Sequence, residues 1–201
     1  MAKEVSSICI ANRSTLIPDE DVERVAMAIR KQIANAVARY WPVNVDVVSC
    51  GKDDQVPFRM WPLFVYDEAM QTNDILPVGA CGAHDMRGTP VGAISIKQCK
   101  ADNIPWSQTA SHEAIEMAIN PSGAIYRLAN NRMWLQDICN PCATSYVCDD
   151  GVELSNFVTP AWFSLISGRR LDFTSRVLIP LTPETGGYAP SIAIGQASSG
   201  V

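Results

Sequence analysis

The stretch Ser107–Pro121, SQTASHEAIEMAINP, decides how the rest of the chain is interpreted. It predicts a largely apolar helix that Ser107 caps and that ends at the Asn-Pro pair. On such a helix His112 and Glu116 are one turn apart on the same face, so they can bind one cation together. Glu113 lies about 100° round the helix and is placed to contact a water molecule on that cation. The alternative is a partly exposed helix whose histidine and acids are solvated or paired.

A metal site needs a third protein ligand, because the helix supplies only two. Asp137 is the predicted third ligand, since a lone carboxylate in the apolar segment MWLQDICNPC needs a partner. A turn or capping acid is the alternative for Asp137. His84 is the only other histidine. It follows a glycine-rich segment, so it is predicted as a loop histidine, with a metal ligand or a substrate-binding group as alternatives.

Composition limits the function classes. The 201 residues are 47% hydrophobic and 18% charged, which predicts one folded domain with a sizeable core. The net charge of −5, without a basic run, argues against nucleic-acid binding. No apolar run has the length of a membrane span, and the start MAKEVSSICIANR lacks the apolar core of a secretory signal. We therefore expect no membrane partner, and a cytoplasmic protein or a virion component assembled in the cytoplasm.

The order of patterned segments predicts an α+β fold with a mixed sheet and two main helices. The first helix is expected from residue 19 to about residue 40, with apolar residues at three- and four-residue spacing. Residues 98–105 are expected to form a loop and residues 145–158 a hairpin, with a last strand within 169–180. Strands are expected at 5–11, 43–50, 60–67 and 88–96. The domain is predicted to span residues 1–181. Residues 182–201, rich in Pro, Gly and Ser, are predicted to form an extended arm that is mobile or docked on a neighbour.

The seven cysteines are expected to be mostly reduced and buried, with irregular spacing and no second C-x-x-C motif. For Cys139, Cys142 and Cys148 the order of preference is structural thiols, then a disulfide, then a metal site. A redox function of the Cys139–Cys142 pair is the weakest interpretation, because the pair falls in a turn between strands rather than at a helix start. Thiols buried in apolar segments are expected at Cys9, Cys50, Cys81 and Cys99.

Four segments carry a resemblance to a known family. The run ASHEAIEMAINP resembles the H-E-[LV]-[LI]-E-M-x-x-D-P helix of an uncharacterised zincin-like (HExxE) family of bacterial, prophage and phage proteins. GACGAHDMRGTPVGAISI, LQDICNPC and GVELSNFVTPAWF resemble that family's G-Y-H-D, E-V-C-D-P-C and G-V-x-V-S-D-F-x-T-P-x-[WF]-F segments. The likeness runs from Val5 to Phe163 in the same order.

The resemblance implies a compact zincin-like domain that holds Zn²⁺ through His112, Glu116 and Asp137, with Glu113 as general base. Two positions depart from the family pattern. Asn120 and Asn140 stand where the family has acids, which weakens the negative field that would hold a dication.

Two functions follow as expectations. The first is a zinc-dependent hydrolase of the peptidase type, in which His84 steadies the oxyanion and the strand Gly92–Ile96 pairs with an extended peptide substrate. The second is a phage virion structural or assembly protein that uses the same scaffold with a degenerate metal site. In that case the arm 182–201 contributes to self-association or to contacts with other virion subunits.

Overall fold

The fold is that of a computed structural model, which describes residues 6–71, 74–165 and 168–194. It confirms the predicted α+β class with a mixed sheet. The helices are α1 (Asp19–Asn35), α2 (Ile96–Ala101) and α3 (Trp106–Ile119). The strands are β1 (Ser6–Asn12), β2 (Val45–Cys50), β3 (Trp61–Tyr66), β4 (Gly82–Met86), β5 (Pro90–Ser95), β6 (Tyr126–Ala129), β7 (Arg132–Leu135), β8 (Ser145–Val147), β9 (Glu153–Ser155) and β10 (Ser191–Ala193).

The main sheet has the strand order β2-β1-β3-β5-β4. The first four strands in this order are parallel, and β4 runs antiparallel to β5. The expected pairing of Gly92–Ile96 with an extended peptide requires a free sheet edge, which β5 lacks because it pairs with a strand on each side. The edge strand is β4, and it contains His84. The prediction of a loop position for this histidine is also wrong.

Helix α1 forms because its apolar residues fall on one face and three acids, Asp19, Glu20 and Asp21, occupy its first turn, where they favour the helix dipole. It ends at Asn35, and a short 3₁₀ turn, Val37–Arg39, continues the chain. Trp41 then enters the core, where its indole nitrogen donates a 2.9 Å hydrogen bond to the Val158 carbonyl. This bond ties the end of the first helical segment to the second half of the chain.

Helix α3 lies at the centre of the molecule. It packs on β4 and β5 of the main sheet, on β9, and on α1 and α2. Its residues are buried on nearly every side, which matches the apolar sequence on both sides of the histidine-glutamate motif. Ser107 does not cap it. The helix begins at Trp106, and the Ser107 hydroxyl donates to the Glu153 carbonyl of β9 instead.

Three other expectations need correction. Residues 98–101 of the expected loop, and residue 96 of the expected strand, belong to the short helix α2. The region 169–180 contributes only an isolated bridge between Val158 and Asp172 in its described part, not a strand. The arm was expected to be mobile or docked on a neighbour. Instead its strand β10 pairs antiparallel with β7 of the same chain. Residues 195–201 of the arm lie outside the described residues. The predicted hairpin of β8 and β9 is confirmed.

Five of the seven cysteines are reduced, as expected, and two are not. Cys81, Cys99, Cys139, Cys142 and Cys148 are free thiols. Cys9 and Cys50, which were expected to be reduced, are joined by a disulfide between the neighbouring strands β1 and β2. None of the helices within the described ranges combines the length and the apolar character that crossing a bilayer requires.

Candidate metal centre

Three separate parts of the chain meet at one cluster of ionisable side chains. The edge strand β4 contributes His84, and α3 contributes His112, Glu113 and Glu116. The segment after β7 contributes Asp137. All five residues predicted for the site are therefore brought together, although they are drawn from more than fifty residues of sequence.

The three groups that lie closest to a shared point are not the three predicted from the sequence. One ring nitrogen of His84, one carboxylate oxygen of Glu116 and one of Asp137 all lie within 4.8 Å of one another. Two of these residues, Glu116 and Asp137, belong to the predicted ligand set. His84 takes the place in this group that the sequence gave to His112. A histidine and two carboxylates form a donor set that suits a divalent cation.

His84 is held by Glu113. Its Nδ1 atom lies 3.1 Å from Oε2 of Glu113 and 3.9 Å from Oε2 of Glu116, and only 7% of its side chain is exposed. Burial lowers the pKa of His84, but the hydrogen bond and charge of Glu113, with the charges of Glu116 and Asp137, outweigh burial and raise this pKa to about 9. Without a bound cation, protonated His84 partly neutralises the negative charge of the neighbouring carboxylates.

Gly82 makes room for this pair. A Cβ atom at position 82 would lie 2.7 Å from Oε1 of Glu113 and 2.6 Å from Cγ2 of Thr109. Residue 82 is therefore required to be glycine by the close approach of strand β4 to helix α3.

His112 lies on the other side of Glu116. Its Nε2 atom is 3.3 Å from Oε1 of Glu116 and 3.0 Å from Oδ1 of Asn140. Burial lowers the pKa of His112, while the charge and hydrogen bond of Glu116, with smaller contributions from Glu113 and Asn140, raise it to about 9. The i, i+4 pair predicted on α3 is thus in contact, but the contact in this structure is a hydrogen bond rather than a shared ligand position.

Glu116 is the residue that connects the parts of the cluster. Its Oε1 atom accepts hydrogen bonds from the backbone N–H groups of Cys139 and Asn140, at 3.1 and 3.2 Å. Burial raises the pKa of Glu116, but the two histidines and the Cys139 N–H more than offset it, so this carboxyl stays ionised. One carboxylate thereby fixes the turn after Asp137 against helix α3.

Asp137 is bonded by both residues that depart from the family pattern. Nδ2 of Asn120 donates to Oδ1 of Asp137 at 2.7 Å, and Nδ2 of Asn140 donates to Oδ2 at 3.3 Å. Burial, followed by the charge of Glu116, raises the pKa of Asp137 to about 6 despite these bonds. The side-chain amides of Asn120 and Asn140 therefore donate hydrogen bonds to Asp137, whereas acids at these two positions would repel its carboxylate.

One neighbour of the cluster was missed at the sequence level. The backbone N–H of Tyr188 donates to the Asn140 carbonyl at 2.9 Å, which places the C-terminal arm beside the cluster. No motif marks Tyr188, since it stands in the segment TGGYAPS without periodicity. The two adjacent glycines were a signal of close backbone approach that could have been used.

The residues present fit a divalent cation. Nε2 of His84 is buried and has no hydrogen-bond partner within the described parts of the chain. Nδ1 of the same ring is fixed by Glu113, which is the arrangement that orients metal-binding histidines in proteins. A buried ring nitrogen without a partner is costly, and a bound cation is one group that would satisfy it.

Comparison with known proteins gives no relative. No protein-family model matches the chain, and neither a curated protein nor a solved structure is significantly similar to it.

Proposed function

We propose that the cluster is a Zn²⁺ site and that the protein is a metal-dependent hydrolase of the peptidase type. The observation that carries this proposal is the group formed by His84, Glu116 and Asp137, in which one ring nitrogen of His84 and one oxygen of each carboxylate lie within 4.8 Å of one another. His84, Glu116 and Asp137 would hold the ion. His112 remains the ligand predicted from the sequence, and it is the competitor to be tested against His84.

Bound Zn²⁺ would polarise a peptide carbonyl and lower the pKa of a water molecule to about 7. The chain itself supplies the proton transfer. Glu113 is buried beside the ligand group and bonds to His84 through Oε2. It is placed to take a proton from water and to pass it to the leaving amine. His84 keeps this carboxylate in one orientation through the same bond.

The edge strand β4 gives the site a surface for an extended substrate. Strand β4 pairs with β5 on one side and with no other strand of the described residues, so its second edge is open, and His84 lies at its centre. An extended peptide that adds to this edge would pass the ligand group. This replaces the expectation that Gly92–Ile96 pairs with the substrate.

The test combines metal analysis with four substitutions. We expect about one zinc per chain in the wild-type protein, and a loss of at least tenfold in zinc affinity in His84→Ala and Asp137→Asn. Glu113→Gln should keep the zinc and lose cleavage of a peptide library. His112→Ala is the matched control for His84→Ala and should keep zinc if His84 is the ligand. Absence of bound zinc, or equal cleavage by the Glu113→Gln variant, would reject the proposal.

A second candidate function is that of a phage virion structural or assembly protein with a cation-free site. It is favoured by Asn120 and Asn140, whose amides satisfy Asp137 without a metal. An exposed apolar surface formed by Leu165, Leu178 and Ile179 could carry subunit contacts. The discriminating measurement is the mass in solution of the wild type and of Leu178→Asp. A metal-free oligomer that this variant dissociates would favour the second candidate.

A further inference from the structure

A cavity of about 480 Å³ lies between residues 168–171 and residues 175–180. This volume falls within the range of small-molecule sites, which is roughly 300–1,000 Å³. Leu171 and Val177 line it and are buried in the main core, so they form its floor. Leu178 and Ile179 line it and are exposed, so they form its rim. Most of the lining is therefore apolar, and no residue of the metal centre belongs to it.

The loop around the cavity is held by Asp172, whose side chain is inaccessible to solvent. Its Oδ2 atom accepts hydrogen bonds from Nδ2 of Asn156 at 2.7 Å and from the Thr174 and Arg176 N–H groups at 3.1 Å. Its Oδ1 atom accepts from the Val177 N–H at 3.1 Å. One buried carboxylate thus joins the two walls of the cavity. A cavity that is formed before binding needs little ordering when a ligand enters.

Two neighbouring arginines, Arg169 and Arg170, also line the cavity. The Arg170 carbonyl accepts from the Thr159 hydroxyl at 2.6 Å, and its Nε atom donates to Oγ of Ser175, a residue of the opposite wall, at 2.8 Å. These bonds fix the side chain and leave both terminal nitrogens of its guanidinium without a partner among the described residues. Arg169 has no acidic partner in the same part of the chain. Both guanidinium groups are therefore available to a ligand.

The charge around the cavity is opposite in sign to that of the whole chain. Residues 165–180 contain three arginines and a single acid, Asp172, whereas the chain as a whole has a net charge of −5. Asp172 does not line the cavity, and its oxygens are occupied by the hydrogen bonds of the loop. A cationic edge beside an apolar floor suits a ligand with an anionic head and an apolar body.

We propose that this cavity binds a single-chain amphipathic anion, whose carboxylate or phosphate head is held by Arg169 and Arg170 and whose apolar body lies on Leu171 and Val177. A guanidinium group presents its donors in a planar fork that matches the oxygens of either head group. The site is independent of the hydrolase proposal, because the metal centre and the cavity share no residue. It competes with the second candidate function, in which the same exposed surface contacts another subunit.

The test is calorimetry of the full chain with decanoate, decyl phosphate and decanol, each below its micelle concentration. We expect one decanoate or decyl phosphate per chain, with equal affinity in the presence of zinc or a chelator. Decanol lacks the charge and should bind about tenfold more weakly. Arg169→Gln and Arg170→Gln should each weaken binding of the anion about tenfold, because each removes charge-assisted hydrogen bonds.

Arg176→Gln is the matched control. It removes the same charge from the same loop, but Arg176 does not line the cavity, so this variant should bind the anion as the wild type does. Arg169 and Arg170 are exposed, and we expect both of their variants to keep the thermal midpoint of the wild type.

The proposal is rejected if the wild type binds neither anion, if decanol binds as tightly as decanoate, or if both arginine variants bind like the wild type. An oligomer that Leu178→Asp dissociates and that does not bind decanoate would assign this surface to subunit contacts instead. A wild-type protein that binds no zinc but binds decanoate through the two arginines would reject the hydrolase and support the amphipathic-anion site.

Discussion

Asn120 donates a 2.7 Å hydrogen bond from Nδ2 to Oδ1 of Asp137, at the position where the resembled family has an acid. The bond is buried, because Asn120 is inaccessible to solvent. An aspartate at position 120 would bring a second carboxylate against Asp137 in place of this donor. The identity of residue 120 therefore decides whether the site is stable without a cation.

The first prediction concerns Asn120→Asp. Without metal we expect this variant to lose about 2–4 kcal/mol of unfolding free energy, since a buried hydrogen bond becomes a repulsion between acids. With Zn²⁺ much of the loss should be recovered. Chemical denaturation with and without zinc measures both values. Asn44→Asp, at an exposed position, is the control and should be neutral. Equal loss with and without zinc would contradict a cation site.

The second prediction is a pH dependence of metal-free stability. The folded pKa values of His84 and His112 are about 9, above the unfolded value of about 6.5. The stabilisation from their protonation is therefore complete below pH 6.5 and is lost as pH rises through 9. Denaturation from pH 6 to 10 should show the decline. The His84→Gln/His112→Gln double variant should show a flatter profile.

The same two histidines predict how zinc binding responds to pH. Because His84 must lose a proton to become a ligand, zinc should bind more tightly as pH rises from 6 to 9 and should release protons on binding. Calorimetry in buffers of different ionisation enthalpy counts these protons. Since the chain has only two histidines, NMR of the imidazole nitrogens assigns each change to a residue. A pH-independent affinity would argue against a histidine ligand.

The third prediction uses Gly82→Ala. The added methyl group would collide with Oε1 of Glu113, so we expect the Glu113–His84 bond to break and the pKa of His84 to fall toward 6.5. Imidazole NMR measures this change directly. Gly51→Ala is the matched control, because its methyl group would meet Asp19 and Asp54 instead of a residue of the cluster. The control should leave the pKa of His84 unchanged.

The fourth prediction concerns the disulfide. Cys9 and Cys50 are 41 residues apart, so loop closure predicts a stabilisation of roughly 4 kcal/mol that Cys9→Ala/Cys50→Ala would remove. Titration of the denatured, unreduced protein should find five free thiols out of seven. Cys148→Ala, at a half-buried free cysteine, is the control. If seven thiols react, Cys9 and Cys50 are reduced, as the sequence analysis expected.

The fifth prediction separates the two roles considered for the arm. A chain that ends at Leu181 loses the bonds of Glu184, Tyr188 and β10 to the domain. We expect its thermal midpoint to fall by about 5 °C or more, with the mass in solution unchanged. A chain that ends at Ile194 is the control. A reduced mass for the shorter chain would show instead that the arm connects subunits.

The sequence predicted much of this structure for clear physical reasons. The three- and four-residue apolar period located α1, the apolar run around the histidine-glutamate motif located α3, and a valine-rich run located β2, since each pattern reflects local burial. Asp137 was located because an acid in an apolar segment needs partners, and it has two.

What the sequence could not provide depends on contacts between distant segments. His84 was expected in a loop, but it lies in the edge strand β4 beside α3, because β4 pairs with β5. No local sequence pattern encodes that pairing. The same holds for Tyr188, whose position follows from hydrogen bonds to residues about fifty positions earlier. The disulfide likewise depends on the neighbourhood of β1 and β2, not on the spacing of the cysteines.

The docking of Tyr188 on the Asn140 turn has a consequence for biosynthesis. A ribosome produces the parts of the site in sequence order, and the arm leaves the exit tunnel after β4, α3 and the segment that holds Asp137. Strand β4 and helix α3 can assemble early, but the turn they support stays uncovered until residues 184–193 emerge. We therefore expect that a nascent chain whose residues 184–193 have not yet emerged has no completed site.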